Sequence, residues 1–78
     1  MKLEEFNMTL KEEFIKKVKE VSNPRVITVS VELPSGAVEI ITNTQRIEDK
    51  ILYYMENYDG NFRLVHNPNV KIIGFMIV

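Results

Sequence analysis

The chain has no cysteine and no tryptophan, and only one histidine, three glycines and three prolines among 78 residues. Without cysteine there is no disulfide staple, thiolate metal site or thiol nucleophile. One histidine alone cannot supply the usual zinc ligand set. The few glycines, Gly36, Gly60 and Gly74, stand apart, so no Gly-rich loop cradles a phosphate. Neither sign of charge dominates. Ten basic and eleven acidic side chains leave a net charge of −1, with a pI near 5.8. That balance lacks the basic excess of a protein that coats nucleic acid. No apolar run approaches the ~18 residues of a membrane span. The opening Met1-Lys2-Leu3-Glu4-Glu5-Phe6 has no apolar core of the kind a secretory signal needs. A chain of this size without disulfides is expected in the cytoplasm.

What is present describes a globular domain. Hydrophobic residues make up 45% and charged residues 27%, an ordinary balance. Residues 1–78 are expected to form one domain, because a second would need roughly another 100 residues. Residues 1–7 are read either as an N-terminal arm that packs elsewhere or, through Leu3 and Phe6, as a backward extension of the first helix's apolar stripe. A chain this short buries only about 60% of its extended surface on folding. Self-association or a partner would add to so small a core.

The first helix is predicted from Met8 to Val21. Leu10, Phe14, Val18 and Val21 recur on one face, with Ile15 beside them. Thr9 and Glu12 have capping-box spacing, and Glu12/Lys16 and Glu13/Lys17 are favourably ordered pairs. Pro24 stops the helix by forcing Asn23 out of helical geometry. Arg25 to Leu33 alternates as a strand, with Ile27, Val29, Val31 and Leu33 on one side. Pro34-Ser35-Gly36 is a turn. Ala37 to Thr42 returns as a second strand, in a register that pairs Val31 with Val38 and Val29 with Ile40. The competing register sets Glu39 beside Val31 and is disfavoured on hydrophobic pattern.

A second helix is predicted from Gln45 to Asn57, capped by Asn43 or Thr44. Its stripe is Ile47, Ile51, Met55 and Tyr58. Gly60 is its expected left-handed terminator. Strands follow at Phe62–His66 and Val70–Val78 around a His66-Asn67-Pro68-Asn69 turn. The two helical stripes match at a constant offset of 37 residues, a weak hint of duplication. The fold class is α+β, a two-layer α/β sandwich in the order α-β-β-α-β-β. Two helices cover one face of a four-stranded, mainly antiparallel sheet.

The uncovered face is then the informative surface. It is expected to show Thr28, Ser30, Glu32, Ala37, Glu39 and Ile41. From the last strand it takes Ile73, Phe75 and Ile77, while Ile72, Met76 and Val78 turn to the helices. A strand apolar on both sides asks for cover on both sides, and a second copy is the simplest cover. Gly74 marks either a bulge or, the favoured reading, room for a large neighbour.

Residues with reactive groups point to structure rather than chemistry. His66 would titrate near neutrality, but no adjacent residue supplies a nucleophile or an orienting carboxylate. Asp59 and Ser35 are the nearest candidates by type. The expected role of His66 is to cap a turn amide. Asp59-Gly60-Asn61 echoes a calcium loop, yet Arg63 and Val65 stand where later ligands belong. Lys16, Lys17 and Lys19 alternate with Glu12, Glu13 and Glu20, as on a solvated helix face. Neither a GXXG loop nor an aromatic RNA-binding strand motif occurs.

No catalytic, cofactor-binding or metal-ligating residues are therefore assigned, and no small-molecule ligand or membrane contact is expected. The expected function is a non-enzymatic interaction protein that forms a homodimer or regulates a larger protein. The interface residues assigned are Ile73, Phe75, Ile77, Ile41 and, as an exposed aromatic anchor, Tyr53. The alternative is a single-stranded nucleic-acid module using the open face, with Phe75 or Phe62 stacking on bases beside Arg63 and Lys71.

Overall fold

In the computed structural model, which describes residues 8–78, six elements follow the expected order. They are α1 (Leu10–Glu20), β1 (Ile27–Glu32), β2 (Val38–Asn43), α2 (Ile47–Asn57), β3 (Arg63–Leu64) and β4 (Asn67–Ile77). The arm expected over residues 1–7 lies outside the described residues.

α1 is set locally. The Glu12 amide donates to Thr9 Oγ1 at 3.2 Å, and the Thr9 amide donates to Glu12 Oε1 at 2.9 Å. Both arms of the capping box are thus made, which satisfies donors that the first turn cannot pair. The helix starts at Leu10 rather than Met8 because Thr9 is its cap. It ends at Val21, whose amide donates to the Lys17 carbonyl at 3.0 Å. Asn23 then takes a positive φ of 53° ahead of Pro24. The ion pair that forms is Lys16–Glu20, at 4.0 Å and exposed. At such exposure it is worth little.

α2 departs from expectation at both ends. It starts at Ile47, and its cap is Arg46 in the left-handed region at φ 53°, with no side-chain cap bond. Asn43 does not cap the helix; its side-chain amide donates to the Tyr54 hydroxyl at 3.3 Å. At the far end, Gly60 is not the left-handed residue. The positive φ falls on Phe62, at 61°, whose ring is buried. Burial of that ring offsets a backbone conformation that costs a bulky residue of order 1–3 kcal/mol. Asp59 organises the turn: its Oδ1 accepts from the Asn61 amide at 2.8 Å and the Arg63 amide at 3.0 Å. β3 is correspondingly shorter than predicted, and β4 begins earlier, at Asn67.

The sheet is antiparallel throughout, in the order β2-β1-β4-β3. The helices do keep the 37-residue offset at both ends, but the sheet does not repeat. β1 lies beside β4, whereas a duplicated arrangement would also set β3 beside β2. The register of β1 and β2 is the one the hydrophobic pattern disfavours. Val29 faces Ile41, Ser30 faces Ile40 and Val31 faces Glu39. The turn decides it. The Leu33 amide donates to the Ala37 carbonyl at 2.8 Å, leaving Pro34, Ser35 and Gly36 as a three-residue loop. Gly36 takes the left-handed position of that loop at φ 92°, which is the usual geometry for this length. A one-residue shift carries every side chain of β2 to the other face.

β4 contains a bulge. Ser30 pairs with Gly74, but Val31 pairs with Ile72, so Ile73 is the extra residue. A bulge advances the alternation by one. Ile72 therefore points into the core before it, and Phe75 and Ile77 point into the core after it. A Cβ built on Gly74 would meet only the Ser30 side chain, at 3.9 Å, so no large neighbour needs the space.

The core lies between the sheet and both helices. Ile27, Val29, Val31, Ile72 and Ile77 rise from the sheet to meet Phe14 of α1 and Ile51 and Tyr54 of α2. Phe14 is its centre. Its ring meets Phe75, Phe62 and Tyr54 edge-on, at centroid distances of 5.3, 5.5 and 6.2 Å. Such edge contacts each add of order 1 kcal/mol beyond the area buried.

Candidate interaction surface

The face of the sheet away from the helices follows from the strand registers. Its first row crosses all four strands as Arg63, Lys71, Glu32 and Val38. The second runs from Gly74 and the bulged Ile73 through Ser30 to Ile40. The third is Met76, Thr28 and Thr42, the two threonine hydroxyls lying 3.3 Å apart. The middle of the face is thus small and polar, with larger apolar side chains to either side. Ile40 is 60% exposed, Met76 57%, Val38 52% and Ile73 42%.

Ile73 stands on this face as expected from sequence. Three other assigned residues do not, and each is a correction. Phe75 and Ile77 turn to the helices because the bulge at Ile73 shifts the alternation. Phe75 packs on Phe14, and Ile77 is 2% exposed. Ile41 packs against the core because the three-residue loop shifts β2 by one. Tyr53 is exposed but belongs to the other layer, on α2, with its ring 5.4 Å from Tyr54. Val38, Ile40 and Met76 take the vacated places. The sequence carried signals for them in the Pro34-Ser35-Gly36 loop and in Gly74, a residue poorly suited to a strand interior.

The same geometry removes the stacking platform that the nucleic-acid alternative required. Every described aromatic ring belongs to α1, α2 or the helix side of the sheet, Phe62 and Phe75 included. Arg63 and Lys71 do share a row, but Glu32 completes it.

The reactive residues separate into structural roles. His66 is exposed at the β3–β4 turn. The turn is Val65-His66, between the paired Leu64 and Asn67. The nearby side-chain bond, from the Asn69 amide to Asn67 Oδ1 at 3.4 Å, lies within β4 and does not involve the imidazole. Ser35 Oγ accepts from the Ala37 amide at 3.3 Å within the β1–β2 loop. The Asp59 carboxyl is held below its ordinary range. The Arg63 amide bonded to it does most, with the Asn61 amide and the charges of Arg63 and Lys11 adding to the effect. Tyr54 and Tyr58 titrate above their ordinary value because burial disfavours the phenolates.

Among the described residues, no group of three or more histidine, aspartate or glutamate side chains is gathered to hold a metal ion. No described helix is long and apolar enough to cross a membrane. Comparisons with models of protein families, with curated proteins and with solved structures return no match.

Proposed function

We propose that this chain is a small non-enzymatic interaction protein that self-associates, most simply as a two-fold dimer. The observation that carries the reading is the open sheet face. Val38, Ile40, Ile73 and Met76 stand exposed on one side of a sheet whose other side carries both helices. They form two strips, on β2 and on β4, either side of Thr28, Ser30 and Glu32 of β1. Apolar side chains gathered on one face mark an association surface more often than ones scattered singly over a molecule. The non-enzymatic part rests on what the polar groups already do: Asp59 and Ser35 are each engaged in a separate turn. A cytoplasmic setting belongs to the same proposal and rests on the cysteine-free composition.

The test is the mass in solution, by light scattering after size exclusion at several micromolar concentrations. The expected result is a species near 18 kDa, twice the 9.1 kDa of the chain, shifting toward monomer on dilution. A constant 9.1 kDa across that range would overturn self-association and leave the face to a different protein.

A further inference from the structure

The two edges of the sheet are built differently. β3, at one edge, has only two residues, one of them Arg63, and the β4 strand beside it is bulged. Beyond β3, the rest of β4 runs under α1. There Glu13, Lys16, Lys17 and Glu20 rim a groove of about 350 Å³ with Phe75. Short strands, bulges and charge are the ordinary devices that keep an edge from pairing.

The β2 edge is neither short nor bulged, and its one charge is Glu39. It is six residues long, has no proline or lysine, and pairs with β1 alone among the described residues. Val38, Glu39 and Ile40 are exposed in succession, so this half of the strand is open on both faces. The bond between the Leu33 amide and the Ala37 carbonyl fixes which backbone groups are free. In an antiparallel ladder the bonding direction alternates along a strand. Glu39, Ile41 and Asn43 therefore bond to β1, and the amides and carbonyls of Val38, Ile40 and Thr42 point away from it.

We infer that the occupant of this edge is β2 of a second copy, paired antiparallel about a two-fold axis at Ile40, giving a continuous eight-stranded sheet. This inference rests on the self-association proposed above and specifies its geometry. In that register Ile40 meets its own copy, and Val38 meets Thr42 in both directions. These are the residues with free backbone groups, so the bonds close along the whole strand. Side chains agree as well. The open faces of the two copies become one surface, on which the paired Val38 and Ile40 side chains adjoin.

On the helix side, Glu39 falls opposite Ile41 of the other copy, so the two Glu39 carboxylates are not apposed. Its diagonal neighbour there is Asn43. Asn43 shares a groove of about 300 Å³ with Lys50 and Arg46. Neither Glu39 nor Lys50 forms an ion pair among the described residues. The two-fold brings these opposite charges to the same end of the strand, twice. A single strand pair lies at the small end of interface sizes, so the dimer is concentration-dependent.

The absence of cysteine makes the test direct, because one introduced thiol can react only with its own copy. Ile40→Cys, Met76→Cys and Tyr53→Cys are each oxidised under dilute conditions and run on non-reducing gels. Facing residues of a bonded pair lie about 5.5 Å apart at Cα, inside the ~4.4–6.8 Å window for a disulfide. The expected result is a covalent dimer from Ile40→Cys and little from the other two. As a second measurement, Ile40→Pro removes an amide that β1 does not use. It should keep the circular dichroism of the parent and weaken dimerisation at least tenfold. A dimeric parent with cross-linking at Met76→Cys and not at Ile40→Cys would overturn the edge pairing, while self-association would stand on a face-to-face dimer. A monomeric parent would overturn both.

Discussion

α1 and α2 have the same length and sit on the same side of the same sheet, yet they are held at their ends in opposite ways. α1 carries its own caps. Thr9 and Glu12 close its first turn, and the Val21 amide closes its last. α2 starts from a left-handed Arg46 with no side-chain bond, and its last turn has no basic residue of its own. A cation there comes from α1 instead. Lys11 Nζ donates to the Met55 carbonyl at 2.9 Å and also to the Tyr58 carbonyl. That places a positive charge where the helix dipole is negative and pairs carbonyls that the helix cannot pair itself. One helix is thus specified by residues three apart in sequence. The other is completed by a residue more than forty positions away. α2 therefore depends on the packed fold, whereas α1 has a means of starting without it.

The largest effect on this comparison is expected from Lys11→Met, which keeps much of the stem and removes the charge. Hydrogen bonds from a charged group contribute about 1.5–3 kcal/mol, so a loss of about 2 kcal/mol is expected in urea denaturation. Hydrogen exchange should localise the damage to the last turn of α2 and leave the first turn of α1 protected. Equal loss of protection at both places would show that the two helices are not separately held.

Thr9→Ala is the complementary change. Losing an N-cap costs about 1 kcal/mol, and the faster exchange should be confined to the amides of Glu12 and Glu13. If α2 frayed as much as α1, local capping of α1 would be the wrong account.

The smallest effect is pH-dependent and concerns the turn that follows α2. The folded pKa of Asp59 is lowered, first by the Arg63 amide. Its contribution is therefore complete above the ordinary aspartate value of about 3.9. It disappears as pH falls through the lower folded value. Stability should be flat from neutrality to about pH 5 and decline in acid below about pH 4. Asp59→Asn should flatten that decline, as read from melting temperatures across the range. An unchanged acid profile in the variant would remove Asp59 from the account.

The sheet shows where legibility in the sequence stopped. β1 was readable because Ile27, Val29 and Val31 alternate with Thr28, Ser30 and Glu32, and a central strand covered on one side must place the apolar set inward. The capping box was readable because its partners are neighbours in sequence. β2 misleads because Val38 and Ile40 look like core residues. A pattern argument puts them inward, and the three-residue loop puts them outward. The end of β4 misleads because its residues are apolar on both sides of the alternation, so composition gives no parity. Three of the five assigned interface residues lost their place on the open face through these two local shifts.

The order of elements, the α+β class, the inward face of β1, and the cap and stripe of α1 were all legible from the residues alone. Each of these depends on contacts between near neighbours, or on a periodicity that only one conformation satisfies. Strand order, the bulge at Ile73 and Gly74, the left-handed Arg46 cap of α2 and the use of Lys11 at the far end of that helix came only with the packed fold. Those features depend on which distant groups meet. An extra residue in one strand, or an orphan carbonyl at a helix end, is resolved only by the neighbour that packing brings to it.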